Sequence, residues 1–172
     1  MNPISRSIDQ FNSFIGKSVA WFTTILVLLI CTDVFMRYIF NFTKTWVIEL
    51  EWHLFGLIFL LGAAYTFKKN RHVRVDLFYS KFSRKTKNII DLLGTLLFLI
   101  PWCLIVIFTA WDYAMNSFSF KEGSPNPGGL PARYLIKSVI SIGFILLLLQ
   151  GVSLILKILF TGLNYDFAEE ES

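Results

Sequence analysis

Apolar residues along this chain fall into four long blocks separated by short polar stretches. The blocks run over 18–40, 45–67, 88–111 and 132–160. An apolar helix needs about 20 residues to cross the hydrocarbon core of a bilayer, so each block predicts a transmembrane helix. Only a few residues around Thr43 separate the first two blocks, which predicts a tight antiparallel hairpin. The fourth block is longer than a bilayer requires and is expected to tilt or protrude. Pro101 is expected to kink the third helix. The stretch 112–131 reads as an outer loop, because proline and glycine crowd Gly123 to Gly129 and predict turns. Pro131 suits the first turn of the fourth helix.

The flanks carry a second pattern. Ile4, Ile8, Phe11 and Ile15 recur at helical spacing, with Ser5, Arg6, Asp9 and Asn12 largely opposite. This predicts an amphipathic helix over 4–17, lying on the inner membrane surface or extending the first span. In the loop 68–87, Val75, Phe78, Tyr79 and Phe82 repeat the pattern beside Lys81, Arg84 and Lys85. A basic amphipathic segment there is expected to lie in the interface and attract anionic phospholipid. The fold class is therefore an all-α integral membrane protein: one domain over 1–172, with four transmembrane helices and amphipathic interfacial helices.

Composition agrees with the pattern. Hydrophobic residues make up 55% of the 172, charged residues 16%, and the mean hydropathy is +0.59. A soluble domain carries about 25% charged residues, so a water-soluble monomer and a disordered chain are both excluded. The net charge of +4 is an orientation signal rather than a sign of nucleic-acid binding. Eight of the sixteen basic residues lie between Lys68 and Lys87, against the single acid Asp76. That loop is expected in the cytoplasm, which places both termini there too, including the acidic tail over 161–172. The apolar run lacks a small-residue cleavage site, so the N-terminus reads as retained rather than as a signal peptide. Cys31 and Cys103 fall within spans and read as small buried hydrophobes.

Ionisable groups inside spans are costly and call for an explanation. Asp33 and Arg37 lie four apart and share a helix face, as do Glu49 and His53, whereas Glu51 points elsewhere. Arg37 and Glu49 stand six residues either side of Thr43, so the hairpin predicts that they touch, with Asp33 and Glu51 as alternative partners. Such contacts would fix the hairpin; a proton or sodium site is the functional alternative. Arg133 and Lys137 sit in the first turns of the fourth helix, where the dipole disfavours cations. Lipid phosphate or an acidic partner is expected to compensate them. Gly56, Gly62 and Ala63 on the second helix, and Gly143 and Gly151 on the fourth, mark close helix packing. Gln150 is expected to hydrogen-bond across helices. No catalytic constellation, phosphate loop or metal-ligand spacing is present, so no enzyme activity and no cofactor is expected. One haem shared by His53 and His72 is implausible, since nineteen residues span about 28 Å of helix.

Arg37-Tyr38, Trp46 with Glu49, Gly62-Ala63-Ala64-Tyr65 and His72-Val73-Arg74-Val75-Asp76 together resemble the small membrane subunit of tripartite ATP-independent periplasmic (TRAP) transporters. His72, Arg74 and Asp76 belong to the most specific part of that resemblance. It implies a subunit of the bacterial inner membrane that supports a large polytopic membrane subunit as a static scaffold. The large subunit would hold the substrate and sodium sites, and a periplasmic binding protein would deliver an organic acid. Two other classes stay open on the residues alone. One is a small homo-oligomeric exporter with Glu49 or Asp33 as proton carrier. The other is a membrane anchor subunit of a respiratory enzyme.

Overall fold

A computed structural model describes residues 2–69 and 82–162. His72, Arg74, Asp76 and Lys81, the flank over 75–79 and the acidic tail lie outside the described residues. The described residues form the helices α1 (Pro3–Phe40), α2 (Thr45–Lys68), α3 (Arg84–Gly94), α4 (Ile100–Ser119) and α5 (Tyr134–Thr161). A π-helical turn over Thr95–Leu99 joins α3 and α4 into one helix of 36 residues. Among the described residues, four helices are thus long and apolar enough to cross a membrane.

Of the two readings of residues 4–17, the structure shows the extension of the first span. They form the first four turns of α1, started by Pro3 and by Asn2, whose side chain accepts from Ile4 N–H. Their amphipathy is inverted. Ser5, Asp9, Asn12 and Gly16 are buried, whereas Ile4 is 59%, Phe11 53% and Phe14 71% exposed. Apolar side chains facing lipid cost nothing, so the polar stripe is the one that turns inward. α1 ends where Asn41 adopts a left-handed conformation (φ 49°) and donates its N–H back to Met36, which opens the short hairpin turn into α2.

The third span starts at Arg84, capped by Ser83, and runs eight residues beyond the expected end at Trp111. Pro101 acts through the turn before it. Proline has no N–H, and its ring crowds the carbonyl four residues back. The ladder opens there, and Ile100 N–H donates to Thr95, five residues earlier. α5 begins at Tyr134, later than expected, because Ala132 is left-handed (φ 62°) and leaves Pro131 outside the helix.

α5 is the hub. It packs against α2 and α4 along its length and meets α1 near the chain termini. Of its most apolar stretch 39% is buried, against 11–17% for the other three spans. Gly143 permits the α2–α5 crossing: a Cβ there would lie 2.8 Å from the Leu60 carbonyl oxygen. The buried apolar cluster is small, with Leu154 and Ile158 at its centre and Phe67 and Leu92 against it. Elsewhere the bundle presents bulky apolar residues outward, among them Trp21, Phe59, Phe98 and Phe108.

Candidate functional site

Polar side chains gather at the two ends of the bundle. At the end holding the hairpin, the centre is Glu49, buried in the second turn of α2. Its carboxylate accepts from the Ser124 hydroxyl, from Leu130 N–H at 2.7 Å and from Asn126 Nδ2 at 3.3 Å, and Arg133 Nη2 stands 3.9 Å away. The proline- and glycine-rich loop therefore folds back over α2 and closes on one acid. Gly129 makes the approach possible, since a Cβ there would come within 2.7 Å of Glu49 Oε2.

The cations of α5 find their acids inside the chain. Lys137 pairs with Glu122, which also accepts from the Ser117 hydroxyl at 2.7 Å. These hydrogen bonds, from Lys137 first and Ser117 second, hold the Glu122 carboxyl below the usual carboxylate range. Lys137 Nζ lies 3.9 Å above the Tyr113 ring, and the Arg133 guanidinium 5.7 Å from the Trp52 ring. The compensation expected from outside is thus intramolecular.

Of the partners expected for Arg37, the structure shows the alternative, Asp33 in its own helix, and not Glu49, whose oxygens are occupied by the loop. His53 touches the backbone carbonyl of Glu49 rather than its carboxylate, so Nδ1 is the donor, and its ring lies 3.9 Å from that of Trp52. The Oε1 of Glu51 is enclosed and has no hydrogen-bond partner among the described residues.

At the opposite end lies a network of which the sequence reading foresaw only the cross-helix hydrogen bonding of Gln150. Asp9 on α1 and Lys157 on α5 form a buried ion pair. Asp9 Oδ1 also accepts from Gln150 Nε2 and from the Ser153 hydroxyl, both at 2.8 Å. Asn12 Nδ2 donates to Gln150 Oε1 at 2.7 Å. Lys68 of α2 joins through the Asp9 carbonyl at 3.2 Å and the Ser13 hydroxyl at 2.7 Å. Three helices are tied at one point. The available signal was Lys157 itself, a cation within an apolar run, which demands a partner.

The remaining marked positions fall at several places. Gly56 faces the Ile136 side chain at 3.7 Å, and Gly151 faces Leu99 and Thr95 across the π turn. Gly62 has open space before it, and Ala63 lines the same groove. Arg84 and Lys85 are exposed in the first turn of α3. Cys103 is buried, but Cys31 is exposed, contrary to expectation.

These features are those of a helical membrane subunit whose polar groups serve its own architecture. The profile of the family described as tripartite ATP-independent periplasmic transporters, DctQ component, matches residues 26–161. The C4-dicarboxylate TRAP transporter small permease protein DctQ of Vibrio cholerae is 24% identical over 110 residues. That match covers 64% of this chain, and the chain spans 46% of the Vibrio protein's length. A putative TRAP transporter small permease protein of Haemophilus influenzae is 28% identical over 131 residues, which cover 76% of this chain and 79% of that protein. A match that runs from the middle of the first span to the end of the fourth, together with the four-helix architecture, makes this chain a member of the DctQ family, the small permease subunits of TRAP transporters.

Proposed function

We propose that the chain is the static scaffold of a sodium-driven importer of an organic acid. As a family member it is a multi-pass inner-membrane transporter subunit and not an enzyme. In this reading a large polytopic membrane subunit carries the substrate and sodium, so this chain needs no cofactor of its own. A periplasmic binding protein delivers the acid to the hairpin end. In this reading the end holding the basic Arg84–Lys87 turn faces the cytoplasm, which the excess of Lys and Arg between Lys68 and Lys87 supports, with Arg84 and Lys85 at the phospholipid headgroups.

The observation that carries the reading is where the polar groups are spent. Glu49 and Asp9 are saturated by donors from this chain, and Asp33 is paired. Both acids named for an exporter thus have partners within this chain. Meanwhile the outward faces of α1 and α4 are apolar and bulky, as a support packed between lipid and a partner requires.

Reconstitution tests it. The large subunit and this chain together are expected to take up substrate in proteoliposomes when binding protein and a sodium gradient are supplied, and neither membrane subunit alone does so. Uptake by this chain alone would refute the scaffold assignment.

A further inference from the structure

α2 and the third span each pack on α5 and scarcely on one another. A cleft of about 730 Å³ lies between them, with Leu147 and Leu154 of α5 as its floor and Phe67 as its α2 wall. The opposite wall is one stripe of the third span, Asp91, Gly94, Phe98 and Trp102, at i, i+3, i+7 and i+11. Thr95 and Leu99 of the π turn close against Gly151 and seal the floor. A Cβ added at Gly94 would meet nothing within 4 Å, so the wall is open there. Phe98 is 75% and Trp102 61% exposed, so the cleft opens sideways into the bilayer. It is larger than the 410 Å³ groove between α1 and α2, where Tyr65 stands against Gly16.

Size and charge together select the occupant. The wall from Ile90 to Cys103 runs about 20 Å along the helix, whereas the whole hydrocarbon core is about 30 Å thick. The cleft therefore serves one leaflet. A volume of 730 Å³ holds less than two turns of a helix about 10 Å across, far short of a crossing helix. A thin, flexible acyl chain entering from one leaflet fits both dimensions.

Polarity is graded along the same axis. From Phe98 inward the wall is apolar, and Asp91 and Thr95 are the polar lining residues, both toward the start of α3. Lys68 and Lys69 follow Phe67, and Arg84, Lys85 and Lys87 precede Ile90. That mouth sets these cations against the single acid Asp91 among the described residues, and Lys87 stands one turn from Asp91, at pairing distance along the helix. Clustered Lys and Arg at a membrane surface attract anionic headgroups.

We propose that the cleft between α2 and the third span is a binding site for one anionic phospholipid. An acyl chain lies along Gly94, Phe98 and Trp102 over the α5 floor, and the phosphate sits at the mouth between Lys69 and Arg84. The lipid fills the gap that α2 and the third span leave and so ties the two walls together. The inference uses the membrane location of the chain and not its scaffold role.

The test places the full chain in vesicles of phosphatidylethanolamine with a minor fraction of phosphatidylglycerol, extracts it, and identifies retained lipid by native mass spectrometry. The wild type is expected to keep one phosphatidylglycerol, enriched about tenfold over its share of the vesicle, as a few surface cations achieve. Gly94→Phe fills open space, so it keeps the thermal stability of the delipidated chain and lowers retained lipid about tenfold. Leu147→Trp fills the cleft from its floor and is expected to expel the lipid likewise. Lys69→Gln combined with Arg84→Gln keeps a lipid but loses the preference for phosphatidylglycerol. Gly62→Leu, in the other groove, leaves both unchanged. Wild-type retention by both cleft-filling variants overturns the site, and loss of the lipid on Gly62→Leu would move it to the α1–α2 groove. Equal retention of the two lipids by the wild type overturns the anionic assignment. If, on co-expression, Gly94→Phe expels the large subunit while lipid retention is unchanged, the occupant is a partner helix and the proposal fails.

Discussion

The two ends of the bundle meet the same need by different means. Three of the four spans bury little of their surface, so apolar packing within the chain is scant and polar groups close both ends. At the hairpin end, Glu49 collects a backbone N–H, a hydroxyl and an amide from one loop. At the other end, Asp9 and Lys157 bring full opposite charges together, 148 residues apart, with Gln150 and Ser153 completing the shell. Both acids are buried. The first arrangement fastens a partly exposed loop to a helix, mainly through neutral donors. The second joins helices through a buried ion pair, so losing one partner strands the opposite charge.

The sharpest way to break this contrast is Asp9→Ala. Removing one member of a buried pair leaves the other uncompensated, at a cost of about 3–5 kcal/mol. Thermal unfolding of the purified chain, followed by circular dichroism, is expected to show that loss. Asp9→Asn combined with Lys157→Met keeps an acceptor for Gln150 and Ser153 and removes both charges. It is expected to unfold close to the wild type. Equal losses in the single and double variants would mean that charge is not what the end depends on.

Between the ends, Gly143→Ala measures what close packing alone contributes. The new methyl meets the Leu60 backbone, which cannot rotate away, and overpacking of this kind costs about 1–3 kcal/mol. The effect is read in the same unfolding measurement.

Glu49→Ala is expected to be milder. Its donors regain water, so the loss is that of hydrogen bonds alone, about 1–2 kcal/mol. The diagnostic readout is local. Limited proteolysis within 123–131 accelerates in Glu49→Ala and not in Asp9→Ala. Acceleration in both would dissolve the distinction between the ends.

The smallest expected effect is a pH dependence at Glu122. Its folded carboxyl titrates below the ordinary value of 4.5, through the hydrogen bonds from Lys137 and Ser117. A depressed acid stabilises the fold above its unfolded pKa, and that contribution fades as pH falls through the folded value. Unfolding measured downward from pH 5 is expected to show a loss of stability that Glu122→Gln flattens. An unchanged acid limb in that variant would assign the loss to other carboxylates.

Apolar runs alone made the four spans legible, because a bilayer demands length and apolarity whatever a helix packs against. The existence of charges needing partners was legible too. Which partners they take was not. The Arg37–Glu49 expectation followed from counting residues outward from Thr43, but counting gives depth, not direction around a helix. Direction turned Glu49 toward the loop and left Arg37 with Asp33. The stripe of Ser5, Asp9 and Asn12 was visible as a polar face. Reading it as a surface face assumed water outside, whereas lipid reverses which side turns inward.

The sequence by itself determined the class of the protein, its span count and, through a family pattern spread over the chain, its kinship. Those properties are local or additive, and each residue contributes whatever its distant neighbours do. Only the tertiary structure decided that α5 is the hub, that the loop closes on Glu49 and that Lys157 answers Asp9. Each of these depends on rotation about a helix axis and on contacts far apart in the chain, and a one-dimensional pattern constrains neither.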